Sequence, residues 1–264
     1  MQQSEAYAYF FRVRWPHGFV CPRCSHFAYF MITSRAAPLY QCRRCRHQTS
    51  LTAGTAMERS RTSLAIWAQA LDALSKTHGL NAVQLSKQIG VSHKTAWTML
   101  RRIREAIGRA ELDSKLRGRT YLGLMFLGTR NLQPFVSHPQ EHAVLLGSNI
   151  DHATGAPAVL KMLVVPPERL VRKQVVQDAV SSFVETHVHS ESEEVVLLRR
   201  FALTIFSPLR KCFLRASAWL NTLFHGLGRK YLQSYLNEFC FRYNVESQGA
   251  SLRDSLISVC LGKV

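Results

Sequence analysis

The sequence predicts a multi-domain α+β protein: a small metal-stapled ribbon, a helix-turn-helix, and a larger α/β domain. Three observations lead there. Two C-x-x-C pairs stand close together near the start, two stretches of helical periodicity meet at Gly90, and beyond residue 119 short apolar runs alternate with an amphipathic stretch. The 264 residues suffice for two or three such units, and 47% of them are hydrophobic, enough for a sizeable core. The expected divisions are 1–57, 58–118 and 119–264.

The net charge of +17 favours a polyanionic partner, nucleic acid before an anionic membrane surface. It is unevenly spread. Residues 1–118 hold 18 Lys/Arg against 6 Asp/Glu, whereas residues 119–264 hold 16 against 11. The front of the chain is therefore the expected contact with phosphates. No apolar run approaches the roughly 20 residues of a membrane span, and the N-terminus lacks the pattern of a signal peptide. The expectation is a cytoplasmic, nucleoid-associated protein without a membrane partner, whose seven cysteines are thiols or metal ligands.

The first element rests on "CPRC" and "CRRC", which supply Cys21, Cys24, Cys42 and Cys45 with 17 residues between the pairs. That is zinc-ribbon spacing. Each pair sits on a tight knuckle, and two knuckles close a tetrahedral sulfur site around structural zinc. The stretch between them reads as a short hairpin turning at "SRAAP", and metal is expected to stand in for a core. Arg43, Arg44 and Arg46, with Arg23, crowd the knuckles and suit nucleic acid. His47 reads as a surface or phosphate-contacting residue, because four cysteines already close the site.

The second element begins with a helix over 62–79, apolar at Leu64, Trp67, Ala68, Leu71 and Leu74, capped by Thr62 or Ser63. Asn81 caps a short helix ending at Gln88, Gly90 turns the chain, and Ser92 caps a second helix expected to end near Ile107. Short helix, glycine turn and second helix make a helix-turn-helix. Ala96, Leu100 and Ile103 form its inner face. His93, Lys94, Thr95 and Thr98 stand where a major groove would be read, and Arg101, Arg102 and Arg104 suit phosphates.

In the third element "EHAVLLGSNID" and "GAPAVLKMLVVP" read as strands. "PERLVRKQVVQDAVSSFVETHV" reads as an amphipathic helix with apolar Leu170, Val171, Val175, Ala179, Val180 and Phe183, and "EEVVLL" as a strand after it.

"RWPHGFVCPRC", "YQCRRCRHQTSLTAGTAMERSRTSLAIWAQAL" and "LSKQIGVSHKTAWTMLRRIREAI" together resemble one family. It is the bacterial insertion-sequence transposases with an N-terminal zinc ribbon and a DDE-type catalytic domain, relatives of the Merlin elements (ISXO/Merlin-like). The block "WLNTLFHGLGRKYLQSYLNEFCFRYN" resembles the family's C-terminal motif, with His225 and Glu238 matching. The resemblance implies a ribonuclease-H-like third domain, DNA transposition, double-stranded DNA and a second copy of the chain as partners, and magnesium at the catalytic site.

The family's metal ligands do not carry over. Gly118 and Gly128 match its first motif, but Tyr121 stands at the first Glu, Gly123 at the metal-binding Asp and Leu124 at the Glu after it. No carboxylate occurs from residue 114 to 140. The second motif falls on "VHSESEE", which puts Ser190 at the ligand, and anchoring the third on Trp219 puts Arg215 at the ligand and Ser217 at the Lys. These residues are poorly suited to hold magnesium. The expectation is a degenerate ribonuclease-H-like domain on a DNA-binding protein that recognises element ends, with no catalytic residues. Two alternatives are an active transposase with displaced ligands (Asp151, Asp178 or the glutamates of 191–194) and a non-enzymatic subunit of a nucleoprotein complex.

Overall fold

The structure, a computed structural model, describes residues 2–34, 37–129, 138–151, 155–192, 194–198, 207–224 and 228–262. In chain order its elements are α1 (Gln3–Arg14), β1 (Tyr29–Ile32), β2 (Leu39–Cys42), β3 (Gln48–Ser50), α2 (Leu64–Lys76), α3 (Ala82–Ile89) and α4 (His93–Asp113). There follow β4 (Thr120–Leu127), β5 (His142–Ile150), β6 (Pro157–Val164), β7 (Leu170–Val171), β8 (Gln174–Val175), α5 (Gln177–His187) and β9 (Val195–Leu198). Last come α6 (Ser207–Phe224), α7 (Arg229–Ser247) and α8 (Leu252–Leu261). They form two compact units: Met1–Ile107 with Ser251–Val264, and Gly108–Ala250. Among the described residues no helix is long and apolar enough to cross a membrane.

In the first unit β1, β2 and β3 make an antiparallel sheet in that order. Side chains alternate across a strand, so Tyr29, Tyr40 and Cys42 share one face while Phe30, Gln41 and Gln48 share the other. The first face gathers Phe11, Trp15, Phe19, Tyr29 and Tyr40, with ring centroids 5.0–6.3 Å apart. The ribbon thus has an aromatic core beside its cysteines, which corrects the expectation that metal replaces one. The source is α1, an element the sequence reading did not identify. Its Arg14 is buried and donates to the backbone carbonyls of Ser50 at 3.2 Å, of Leu51, and of Ala53 at 2.7 Å. Burial pulls that guanidinium's pKa below its ordinary value, with Glu58 opposing.

The helices after the ribbon start where capping chemistry places them. Ser63 Oγ accepts from the Ile66 N–H at 3.3 Å, and Asn81 Oδ1 accepts from that of Gln84 at 2.9 Å while the Gln84 side chain accepts from Asn81 N–H. Gly90 closes α3 at φ 69°, a conformation side chains avoid. α4 does not stop near Ile107. It runs on through Gly108 to Asp113, and the glycine suits close helix packing, because a Cβ there would lie 3.2 Å from the Asn237 side chain of α7.

α8 packs in the first unit, burying Leu256, Ile257, Cys260 and Leu261. Its Cys260 carbonyl accepts from Ala56 N–H at 2.8 Å, and Arg253 reaches Tyr9 Oη at 3.0 Å and Asp72 at 3.4 Å. The sequence reading had placed residues 251–264 in the last domain and the first two divisions at 57/58 and 118/119.

The second unit is a four-stranded sheet in the order β6-β5-β4-β9. β4, β5 and β6 are antiparallel neighbours, and β9 runs parallel to β4 after the crossing helix α5. Leu122 and Leu145 face α5 through Ala179, Val180 and Phe183. Val144, Leu146 and Leu127 face α6 and α7 through Leu209, Phe213, Ala216, Leu232 and Leu236. Helices therefore cover both sheet faces. Gly147 is required by this packing, since a Cβ would lie 2.5 Å from the Phe183 ring.

The predicted helix from 167 begins only at Gln177. Pro167 opens a 3-10 turn, and Arg172 and Lys173 take left-handed φ values of 49° and 57°, forming the tight β7–β8 hairpin. Leu170, Val171 and Val175 are therefore strand residues.

Candidate metal centre and nucleic-acid interface

The four cysteines come together through two knuckles of the same build. Cys21 N–H donates to the His26 carbonyl at 3.0 Å, and Ser25 N–H donates back to Cys21 O at 2.9 Å. Cys42 N–H donates to His47 O at 2.9 Å, and Arg46 N–H to Cys42 O at 3.0 Å. Ser25 and Arg46 turn the chain at φ 56° and 55°. His47 thus has a counterpart in His26, each closing its knuckle through the backbone.

The sulfurs of Cys21 and Cys45 are 3.6 Å apart, as are those of Cys24 and Cys42, and all four lie within 4.8 Å of one another. A tetrahedron with zinc–sulfur bonds of about 2.3 Å has edges of about 3.8 Å. Donor set, spacing and geometry fit structural zinc. Burial would push the Cys42 thiol up, but the backbone N–H groups of Cys45 and Arg44, with the Cys24 and Cys45 side chains, outweigh it and bring its pKa down to about 7. At Cys24 the His26 N–H favours the thiolate, yet the neighbouring Cys45, Cys42 and Cys21 sulfurs with burial drive it up to about 12. Four thiolates this close need a cation among them.

Arg43, Arg44, Arg46 and Arg23 are exposed around the knuckles. Residues 6–57 contain seven arginines and no carboxylate. On the sheet's outer face Phe30 is 56% exposed, with the Arg43 guanidinium 4.4 Å from its ring centroid.

At the start of α4, His93 and Lys94 are exposed. Thr95 Oγ1 is 2.9 Å from Ser92 Oγ, and Thr98 Oγ1 donates to the Lys94 carbonyl at 2.8 Å, so both hydroxyls also serve the helix start. Trp97 is 39% exposed on this face, with the Arg101 guanidinium 5.6 Å from its ring. The sequence reading missed it. Its signal was position, one turn after His93 and one before Arg101, off the Ala96–Leu100–Ile103 stripe.

The three arginines that follow have different surroundings. Arg101 is exposed and pairs with Glu105 at 2.9 Å. Arg102 donates to the Glu58 carbonyl at 2.5 Å and to that of Ala56 at 3.4 Å, bracing the turn before α2. Arg104 is buried and donates to Leu80 O at 3.4 Å. Its assignment to phosphate is corrected: the 3.6-residue period turns position 104 inward beside Ile103.

In the second unit Gly123 is buried in β4, flanked by Leu146 of β5 and Leu198 of β9. Ser190 does not lie beside it. It is exposed on the turn before β9, whereas Gly123 is level with the far end of that strand. Arg215 is exposed and turns to α7, 3.6 Å from Glu246 and 5.8 Å from the Tyr243 ring. The α6 residues that line the cleft at the end of β4 are instead Ser217, Leu220 and Asn221. Helical periodicity is the reason, since 217 and 221 stand one turn apart and 215 is rotated away.

The same cleft is lined by Glu141, His142 and Arg229. Glu141 is held 2.8 Å from Lys173, both nearly fully buried. Burial and then Arg229 lower the pKa of His142. Asp178 pairs with Arg169 at 3.4 Å, Glu194 with Arg119 at 2.9 Å and Glu191 with His189 at 3.8 Å. Asp151 closes the turn after β5, its carbonyl accepting from Gly155 N–H at 2.8 Å. Among the described residues the cysteine cluster is the one group of three or more metal-ligating side chains. Glu238 is buried against Arg242 at 3.1 Å, and Glu193 and His225 lie outside the described residues.

Residues 1–48 match the model of the transposase zinc-ribbon domain of the IS1595 type. No curated protein and no solved structure matches the chain.

Proposed function

We propose that this chain is a transposase-family protein that binds element-end duplex DNA and has lost the metal chemistry of strand transfer. The carrying observation is that a transposase-type ribbon shares one compact unit with α3, the Gly90 turn and α4 as far as Ile107. That turn supports the helix-turn-helix reading, with His93, Lys94 and Trp97 as its exposed leading face and Arg101 beside them. The ribbon's arginines, with no carboxylate from 6 to 57, supply attraction to phosphate. Zinc holds the two knuckles, and its role is structural because cysteine fills all four positions.

The mixed sheet with helices on both faces supports a ribonuclease-H-like frame for the second unit. Two-metal phosphoryl transfer needs carboxylates converging on one point. The first ligand position is Gly123, the α6 residues of the cleft are neutral, and the cleft's carboxylate is neutralised by Lys173. The segment after β9, "RRFALTIF", offers no acid in sequence either.

A strand-transfer assay in magnesium or manganese, run beside a duplex-binding assay on the same DNA, tests the reading. Binding with steep salt dependence and no transfer is expected. Transfer abolished by chelator and by changing Asp151, Asp178 or Glu191 would establish an active enzyme instead.

A further inference from the structure

We infer that the outer face of the ribbon sheet binds unpaired DNA bases, a second mode of contact that rests on the DNA-binding reading above and adds to it. Phe30, Gln41 and Gln48 are cross-strand partners on β1, β2 and β3, so they form one row across the sheet. The row lies on the face opposite the aromatic core. Phe30 is 56% exposed, Gln48 is exposed, and Gln41 is half-buried between them. Arg43 lies over the Phe30 ring at 4.4 Å, and Arg44 and Arg46 are exposed on the adjoining knuckle. Phe27 is a further large apolar residue at 68% exposure just before β1.

A phenyl ring left in water beside arginines has a specific use. Bases have π-faces on which an aromatic ring or a guanidinium plane can stack, and their edges pair with amide side chains. In a duplex those faces are covered by neighbouring base pairs, so an aromatic platform on a sheet meets them only where the strand is unpaired. The exposed Arg43, Arg44 and Arg46, with no carboxylate in residues 6–57, draw the backbone to the same place. A hydrophobic protein partner would leave that charge unmatched. The platform is distinct from the α4 surface, which offers polar groups suited to a groove.

The test uses the full zinc-loaded chain, a labelled oligothymidylate of about 12 nucleotides and a duplex of the element end. Wild type is expected to bind both. Phe30→Ala should weaken the single strand about tenfold or more and change duplex affinity less than about twofold, with zinc content unchanged. Phe30→Trp should retain single-strand binding. If wild type binds duplex but oligothymidylate no better than Phe30→Ala does, the platform is wrong and the duplex reading stands. Loss of duplex and single strand together in Phe30→Ala also overturns the platform. So does a dimer that Phe30→Ala dissociates without weakening the single strand, because a second copy then covers the face. If wild type binds neither DNA, the proposed function itself fails.

Discussion

Replacing His187 with Phe should remove a pH dependence from the second unit. His187 ends α5, is 7% exposed, and lies against the Phe183 ring at a tilt of 56°, with ring centroids 4.9 Å apart. Its Nδ1 is buried and has no hydrogen-bond partner among the described residues. Burial first, then the Lys161 and Lys115 charges, lower its pKa to about 4. An unfolded chain protonates the same ring near 6.5. Between those values the unfolded state takes a proton that the folded state refuses, so stability falls as pH drops from about 6.5 to about 4 and this loss is complete below that. A gap of about 2.5 units corresponds to roughly 3 kcal/mol. Above pH 7 the imidazole is neutral in both states, and the aromatic replacement should cost little there. Urea titrations at pH 7.5, 5 and 4 should be read by amide exchange of His142–Val164, because the two units need not unfold together. Carboxylates that titrate in this range act on both proteins and cancel in the difference. If wild type and His187→Phe lose the same stability between pH 7.5 and 4, the argument from burial is refuted.

Cys42→Ser should abolish stoichiometric zinc and the exchange protection of β1–β3 while leaving β4–β6 protected; metal analysis and hydrogen exchange check both parts. Lys161→Met should cost about 3–5 kcal/mol, since Glu111 lies buried 2.6 Å from Lys161 Nζ. The double change Lys161→Met with Glu111→Leu should recover most of that loss, and urea unfolding of the single and double variants decides it. Arg101→Ala should flatten the salt dependence of duplex binding by about one counterion. Arg102→Ala should instead lower the first unit's stability by about 1–3 kcal/mol through the carbonyls of Ala56 and Glu58; equal thermal stability of the two variants would contradict the distinction.

Local chemistry in the sequence was legible where one residue type has few other uses. The paired cysteines, the Asn81 and Ser63 caps and the Gly90 turn each act over three to six residues, and the elements begin or end there. Long-range packing was not legible. α1 has weak amphipathicity, and its aromatic residues take meaning only from Tyr29 and Tyr40 across the ribbon. α8 was not identified from the sequence, and its contact with Ala56 spans most of the chain. The cleft of the second unit was half legible. The absence of acids around Gly123 is a sequence fact, but strand register and helix rotation put Leu198 beside it, and Ser217 and Asn221 in the cleft, in place of Ser190 and Arg215. Arg104 shows the same limit, since its charge suggested phosphate and its helical phase buried it.

The return of α8 to the first unit makes that unit discontinuous, with Gly108–Ala250 carried as an insertion. During synthesis the cysteines, the Gly90 turn and α4 all emerge early, yet the surface of Leu256, Ile257, Cys260 and Leu261 arrives about 140 residues later on the ribosome. A transcript broken anywhere inside the insertion would encode every cysteine of the cluster and the exposed start of α4 but not the helix that meets Ala56, Tyr9 and Asp72. Such a fragment would lack the apolar surface that Leu256, Ile257, Cys260 and Leu261 bury, so it should be less stable than the same unit in the full chain.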